Sequence, residues 1–388
     1  MSRYVHNLPP LTLINTKEAL EEMRSRLLLE PAVAVDTESN SLYAYTERVC
    51  LIQFSVPGED YLVDPFAVED LSSLRAVFAD RGVEKVFHAA EYDVRVLRRD
   101  YQFEFANLFD TMIASRIVGW PRYGLGSLLE ERFGVLTNKR MQRTDWGRRP
   151  LSTDQLEYAR LDTHFLLPLR DTLLDELQAQ NRLAEARSAF DRVTRSKWNG
   201  RQFDPDGFWG IKRARDLDGV GWAVLRALYI YRDERAQALD RPSFKVLNDD
   251  VLVALSQRRP SSLAELGRIR GIPRLLPPRE RRLLLSVIEQ GLRDPLPKRP
   301  ARRRNDRPDD ETSDRYEALR EWRKNRAKDR GVESDVVLSN RVLHILARHD
   351  PTSLEELDAL GILNEWERSE YGREIVSALR RHRRFAAR

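Results

Sequence analysis

Residues 32–41, AVAVDTESNS, constrain the fold of this chain more than any other stretch. An apolar run rich in β-branched residues leads directly into Asp36 and Glu38, which are two residues apart. In an extended strand, side chains two residues apart point to the same face, so both carboxylates leave the sheet on one side. Two like charges at the end of a buried strand repel each other and lose hydration, which a divalent cation would compensate. The stretch therefore predicts a strand that carries part of a metal site.

Two later segments add further groups of the same kind. YARLDTHFLL, residues 158–167, places Tyr158 and Asp162 four residues apart in a helix-forming pattern, so phenol and carboxylate share one helical face. KVFHAAEYDVRVL, residues 85–97, begins as a short apolar strand and turns into a helix that carries Asp93. Each motif alone also fits a structural role, such as a solvated strand end or an acidic residue in the first turn of a helix.

Together, these four carboxylates and Tyr158 match in order the three motifs of the DEDD exonuclease superfamily, in its tyrosine-bearing branch. Residues 139–162, KRMQRTDWGRRPLSTDQLEYARLD, are similar to the K-x-x-Q-x-x-D-W-x-x-R-P-L-x-x-x-Q-x-x-Y-A-x-x-D passage of ribonuclease D. The chain thus resembles the ribonuclease D family, and the resemblance implies a ribonuclease-H-like α/β exonuclease domain.

The resemblance also implies hydrolysis of phosphodiester bonds with two divalent ions, Mg²⁺ or Mn²⁺. Such ions prefer oxygen ligands and, roughly 3.5–4 Å apart, activate a water and stabilise the departing oxygen. By the resemblance, Asp36 bridges both ions. Glu38 and Asp162 bind the first ion, and Asp93 reaches the second mainly through water. Tyr158 orients the attacking water, because a phenol with a pKa near 10 is a poor base at neutral pH.

Other residues near the motifs have ordinary explanations as well. Lys139 stands where ribonuclease D carries a lysine, so it is expected either to bind a phosphate or to be a solvated surface side chain. Trp146 is expected to pack a helix onto the core, with stacking on a base as the alternative, and His88 is expected to be a core histidine. His164 follows Asp162 too closely to take the water-orienting place that a histidine has in the superfamily's other branch.

The order of the predicted elements indicates a mixed sheet flanked by helices. An amphipathic helix is expected at 17–29, and helices continue over 153–185. The predicted strands are 32–38, 48–56, 60–64, 85–90 and one near Leu108.

The C-terminal half is helical and contains an internal repeat. Residues 228–266 align without a gap to residues 319–357, and 15 of the 39 positions are identical. Each copy of this duplicated module has about 75 residues, which suffices for a helical bundle. The module resembles the HRDC domain, which RecQ helicases and ribonuclease D share.

These patterns divide the chain into an exonuclease domain, two HRDC domains and a proline-rich, charged linker between the two copies. The predicted bounds are 1–195 for the exonuclease domain, 210–292 and 315–388 for the HRDC domains, and 293–314 for the linker. The arginines Arg302 to Arg304 of the linker either contact nucleic acid or are solvated.

Charge is unevenly distributed along the 388 residues. The first 200 residues carry a net charge of about −4 and the rest about +9, which together give the total of +5. The basic half is expected to bind phosphate backbone, unless its arginines are only solvated side chains on helix surfaces.

The single cysteine, Cys50, lies in an apolar run and is expected in the core. The N-terminal residues show no signal-peptide pattern and no later stretch is long enough to span a membrane, so a cytoplasmic protein is expected.

The sequence therefore predicts a metal-dependent 3′→5′ exoribonuclease. By the resemblance its substrate is RNA, with tRNA precursors expected, and the chain is expected to be a monomer. A DNA 3′→5′ exonuclease remains an alternative, because the same carboxylates serve both reactions. A catalytically inactive nucleic-acid-binding protein is less consistent with the complete set of five residues. A helicase fragment is disfavoured, because the chain contains no G-x-x-x-x-G-K-[ST] phosphate loop.

Overall fold

The computed structural model describes residues 8–198, 200, 202–272, 277–299 and 309–386. These residues divide into two compact units. The first unit comprises Met1–Glu38, Val49–Trp198 and Arg303–Arg388, and the second comprises Ser39–Arg48 and Asn199–Arg302. The four predicted domain bounds stay a prediction, because the units group segments of the chain and do not delimit domains. The linker arginines Arg302 to Arg304, which either contact nucleic acid or are solvated according to the sequence, lie outside the described residues.

The strands and helices of the described residues follow in chain order. The strands are β1 (Leu11–Ile14), β2 (Ala32–Ser39), β3 (Val49–Val56), β4 (Glu59–Val63), β5 (Glu84–Phe87) and β6 (Leu108–Asp110). The helices are α1 (Lys17–Leu27), α2 (Arg75–Ala79), α3 (Glu91–Tyr101), α4 (Thr111–Val118), α5 (Leu125–Phe133), α6 (Thr153–His164), α7 (Leu166–Ala179), α8 (Leu183–Thr194), α9 (Gly219–Ala238), α10 (Ser243–Val246), α11 (Asp249–Arg258), α12 (Leu263–Gly267), α13 (Pro278–Arg293), α14 (Asp310–Arg330), α15 (Ser334–Val337), α16 (Asn340–His349), α17 (Leu354–Ala359) and α18 (Glu365–Ala386).

The strands form one mixed sheet in the order β1-β4-β3-β2-β5-β6. β1 is parallel to β4, β4 is antiparallel to β3, and β2, β5 and β6 are mutually parallel neighbours. Every residue of β3 is buried, so this strand is covered on both faces by other elements. The predicted mixed sheet flanked by helices is therefore confirmed, and β2 lies near its centre. β1 was not predicted, because four residues are too few to show a strand periodicity.

The C-terminal copies of the repeat are both all-helical, as predicted, and each has its own apolar core. In the first unit, the second copy packs against α4 and α8. Arg330 of α14 forms an ion pair with Glu185 of α8 at 2.5 Å, with side chains 11% and 6% exposed. Gly119, which follows α4, approaches Gly331 so closely that a Cβ there would lie 2.6 Å from its carbonyl oxygen. A side chain at position 119 would therefore disturb this packing.

In the second unit, the first copy contacts the segment 39–48, which follows β2 in the chain. The hydroxyl of Tyr45 donates to Asp233 at 2.7 Å, and its backbone N–H donates to Asp240 at 3.0 Å. The ammonium of Lys245 lies 3.6 Å from the ring centre of Tyr43, a cation–π contact. These contacts make the segment part of the second unit.

None of the described helices is both long enough and apolar enough to cross a membrane.

Candidate metal centre

Three of the predicted site residues lie together at one end of β2. Each of Asp36, Glu38 and Asp162 offers a carboxylate oxygen, and these oxygens all lie within 4.8 Å of one another. Asp36 and Glu38 are half-buried on β2, whereas Asp162 is buried on α6. The two-residue period of β2 places its pair on one face, as the sequence predicts. α6 contributes the third carboxylate, 126 residues after the first.

α6 begins where the sequence dictates. Ser152 caps its first turn, and the side chain of Gln155 bonds back to the cap, which forms a capping box. Six residues after this cap, Tyr158 lies on the helical face of Asp162 and hydrogen-bonds to it, which opposes the rise in the pKa of that carboxyl caused by burial. The ring of Tyr158 packs on Trp146 with ring centres 6.2 Å apart. Trp146 is only 1% exposed, which agrees with its expected packing role.

Asp93 is held beside this cluster by its partner on β2. It lies in the first turn of α3, and Thr37 donates a side-chain hydrogen bond to its Oδ1 at 2.5 Å. Because Thr37 stands between Asp36 and Glu38, this bond ties the start of α3 to the strand that carries the other carboxylates. Burial raises the pKa of Asp93 to about 7, against the lowering effect of the Thr37 hydrogen bond.

The turn before α3 is organised by a carboxylate that the sequence analysis did not identify. Asp110 accepts hydrogen bonds from the backbone N–H groups of Ala89, Ala90, Met112 and Ile113, at 3.1, 2.8, 2.9 and 3.0 Å. It therefore caps α4 and also fixes the turn that leads into α3. Ala89 has a φ of 63°, a left-handed conformation that costs on the order of 1–3 kcal/mol outside glycine. The hydrogen bonds that Asp110 accepts from this turn offset part of that cost.

His88, the neighbour of this turn, is half-buried, whereas the sequence predicted it in the core. Its Nδ1 lies 2.9 Å from Oγ1 of Thr111, which itself donates to the carbonyl oxygen of Phe87. Burial lowers the pKa of His88 to about 4, so the ring is neutral at neutral pH. It therefore adds no charge beside the carboxylates.

The electrostatics of the cluster favour a bound cation. Burial, followed by the charges of Asp93, Asp162 and Glu38, raises the pKa of Asp36 well above its usual value. Burial, followed by Asp162 and Asp93, does the same for the pKa of Glu38. Burial raises the pKa of Asp162 to about 7. A set of oxygen donors that repel one another in the absence of a counterion fits hard divalent cations, and the set contains no sulfur or imidazole donor that a softer metal would prefer.

The remaining predicted site residue, Lys139, is not held in place by other described side chains. It is exposed in the loop after α5, where it forms no hydrogen bond or ion pair with the described residues. Its phosphate contact stays a prediction.

Gln142 is a residue that the sequence analysis did not identify: it hydrogen-bonds to the hydroxyl of Tyr158. It is the glutamine of the K-x-x-Q passage, so the motif itself could have identified it.

Comparisons with known proteins agree with this geometry. The profile of the 3′-5′ exonuclease family matches residues 11–178, and that of the HRDC domain matches residues 222–275 and 313–379. Protein RRP6-like 3 of Arabidopsis thaliana is 36% identical over 278 residues, which are 65% of this chain and 31% of that protein. The chain spans about a third of the length of such RRP6-type relatives.

Two bacterial proteins match over most of their length. Ribonuclease D of Gluconacetobacter diazotrophicus is 32% identical over 268 residues, which are 69% of this chain and 68% of that protein. The crystal structure of Escherichia coli RNase D, described as an exoribonuclease involved in structured RNA processing, superposes with a TM-score of 0.65 at 26% identity. It covers 96% of this chain and 99% of that one. The predicted resemblance is thereby confirmed: the chain belongs to the ribonuclease D family.

Proposed function

We propose that this chain is a metal-dependent exoribonuclease that removes nucleotides from the 3′ end of RNA. The observation that carries the proposal is the cluster of Asp36, Glu38 and Asp162, whose carboxylate oxygens lie within 4.8 Å of one another beside Tyr158. The similarity to proteins named ribonuclease D supports RNA as the substrate class. The proposal extends to the precursors of tRNA, to Mg²⁺ or Mn²⁺ as the metal, and to a monomer in the cytoplasm.

In this proposal the four carboxylates Asp36, Glu38, Asp93 and Asp162 would hold two divalent ions, which would stabilise the charge that develops on the phosphate and activate a water. Thr37 fixes Asp93 by its hydrogen bond of 2.5 Å, so that this carboxylate enters the site from α3. Bound cations would lower the raised pKa values of these carboxyls, so that all four would be ionised at neutral pH.

Tyr158 acts in this scheme as an orienting group. Burial, together with the charges of Asp162 and Glu38, raises the pKa of its phenol above the usual value. The hydroxyl is therefore protonated at neutral pH, and it cannot accept a proton as a general base. It positions the attacking water through hydrogen bonds instead. Gln142, bonded to the same hydroxyl, holds the phenol in place.

Replacement of Asp36 by Asn tests the proposal directly. We expect wild-type protein to shorten a 3′-extended tRNA precursor, labelled at its 5′ end, only when a divalent metal is present. The Asp36→Asn variant should bind the RNA but not shorten it, because the charge expected to bridge the two ions is lost. Near-normal turnover by this variant, in protein free of contaminating nuclease, would refute the proposal. A matched single-stranded DNA in the same reaction distinguishes an exoribonuclease from a DNA exonuclease.

A further inference from the structure

A second, buried polar cluster lies on the far side of the helix that carries the metal centre. Asp60 of β4 is 2% exposed and accepts hydrogen bonds from Ser55 at 2.6 Å, from Nε of Arg160 at 2.7 Å and from Nδ1 of His164 at 3.0 Å. Arg160 also donates to the backbone carbonyl of Pro9. Burial alone would raise the pKa of Asp60, but the bonds from His164, Ser55 and Arg160 outweigh it, so the pKa is lowered and the carboxylate is ionised.

The helical period explains how this cluster relates to the metal centre. Within α6, Arg160 and His164 are four residues apart and share one face, as do Tyr158 and Asp162. The two faces are about 200° apart around the helix, because two residues separate the pairs at about 100° each. Thr163 lies between them and faces the sheet, where its hydroxyl is 2.8 Å from that of Ser55 on β3.

The order of the strands shows which strand lies beneath each face of α6. β3 lies between β4 and β2 in the sheet. α6 therefore rests on β3 through Thr163, with Arg160 and His164 over β4 on one side and Tyr158 and Asp162 beside β2 on the other. The hydrogen bonds to Asp60 set both the rotation of α6 about its own axis and its height above the sheet. Any rotation about this axis moves the carboxylate of Asp162 relative to Asp36 and Glu38.

We infer that Asp60 is a positioning residue for the metal centre: it anchors α6 through Arg160 and His164 and so places Asp162 and Tyr158 against the carboxylates of β2. Asp60 touches neither metal nor substrate in this scheme. The inference rests on the proposed function for its consequence on RNA cleavage, but its effect on metal affinity can be measured without RNA.

A buried ion pair is well suited to this task. A carboxylate with three directed partners in an apolar setting accepts few alternative geometries, so it specifies orientation even where it adds little net stability. The Arg160 and Asp60 side chains are 10% and 2% exposed, so water cannot replace their contact without opening the interface. Removal of residues that hydrogen-bond to metal ligands and hold them in position typically weakens metal affinity about 10–100-fold.

The test compares Asp60→Asn with Glu84→Gln in the full-length protein. Glu84 of β5 forms a similar strand-to-helix ion pair with Arg170 of α7 at 2.6 Å, but α7 carries no residue of the metal centre. Mn²⁺ affinity is measured by calorimetric titration, and kcat and KM are measured on a short single-stranded RNA over a range of Mn²⁺ concentrations. Thermal unfolding of both variants records any general loss of stability.

We expect Asp60→Asn to weaken Mn²⁺ binding about 10–100-fold and to lower kcat at limiting metal, with KM for RNA unchanged within about twofold. Raising the Mn²⁺ concentration should restore much of the rate, and the thermal unfolding of the metal-free variant shows separately whether its fold is intact. Glu84→Gln should bind Mn²⁺ as wild type does. If Asp60→Asn does not fold, His164→Gln and Ser55→Ala each remove one bond to Asp60 and should shift Mn²⁺ affinity in the same direction by less.

The inference is overturned if a folded Asp60→Asn variant binds Mn²⁺ as tightly as wild type, even when its unfolding temperature is lower. In that case Asp60 serves stability alone. Failure of the proposed function has a different signature. A wild-type protein that binds Mn²⁺ but cleaves no RNA refutes the exoribonuclease, while weaker Mn²⁺ binding by Asp60→Asn would still support the positioning role.

Discussion

The metal-free protein should be stabilised by replacing one of the carboxylates that are proposed to hold the metal. Asp162 has a pKa of about 7 in the folded protein and 3.8 as its reference value, a gap of about 3 units. Each unit corresponds to about 1.36 kcal/mol, so an ionised Asp162 costs at most about 4 kcal/mol of folding free energy. Asn at this position has nearly the same shape and keeps an oxygen that accepts the hydrogen bond from Tyr158. We therefore expect Asp162→Asn to be more stable than wild type in EDTA at pH 8.

The sign of the pH dependence follows from proton binding. Between about pH 4 and pH 7 the folded protein holds a proton on Asp162 that the unfolded chain has already released. The folded state binds more protons in this window, so wild-type stability falls as pH rises through it. The cost is near zero below pH 4 and complete above pH 7. The advantage of Asp162→Asn should therefore shrink by more than half between pH 8 and pH 5.

Urea unfolding at pH 5, 6, 7 and 8, in EDTA and in excess Mn²⁺, measures these differences. Metal should reverse the order of stability, because only wild type retains the full ligand set. At 1,000 times the dissociation constant, one bound ion adds about 4.1 kcal/mol, which offsets the cost of at most about 4 kcal/mol, and a second ion would add more. Glu157→Gln is the matched control, since it removes the same charge from an exposed position on α6. An Asp162→Asn variant that is less stable than wild type in EDTA at pH 8, or a stability difference that does not change with pH, would refute the reasoning.

Two further predictions concern single contacts. Tyr158→Phe should retain its metal ions in calorimetric titration while the single-turnover rate falls roughly 10²–10⁴-fold, the range for a group that handles the reacting water; loss of metal binding would instead give Tyr158 a structural role. Glu185→Gln should lower the free energy of unfolding in urea by about 3 kcal/mol, because it leaves the buried guanidinium of Arg330 without its counter-charge. Glu289→Gln, which breaks an exposed pair with Arg293, should change it by less than about 1 kcal/mol; equal losses would contradict the difference in burial.

The parts of the site that the sequence predicted are those with a local pattern. The spacing of Asp36 and Glu38 on β2, and of Tyr158 and Asp162 on α6, follows from the periods of strand and helix, and the structure has both pairs as expected. The motif order then allowed Asp93 to be assigned through the family resemblance. Local periodicity and motif matching therefore account for the five central residues.

The supporting residues could not be predicted, because their partners are distant in sequence. Asp60 binds Arg160 across 100 residues, and Asp110 binds the backbone of Ala89 across 21. No periodicity relates such positions, and an aspartate near a strand or helix end is common without any such role. Only the sheet order, which places β4 beside β3, shows that Asp60 lies under α6.

The wide separation of the three clustered carboxylates along the chain also bears on when the protein acquires activity. Asp36 and Glu38 leave the ribosome long before Asp162, and the oxygens that meet within 4.8 Å come from positions 126 residues apart. A nascent chain that has not yet docked α6 onto β3 has at most an incomplete ligand set. Contacts between such distant segments form late in folding, because a long loop must first be closed. Under the proposed function, the chain would thus be unable to cut the messenger RNA from which it is being translated until its exonuclease domain has folded.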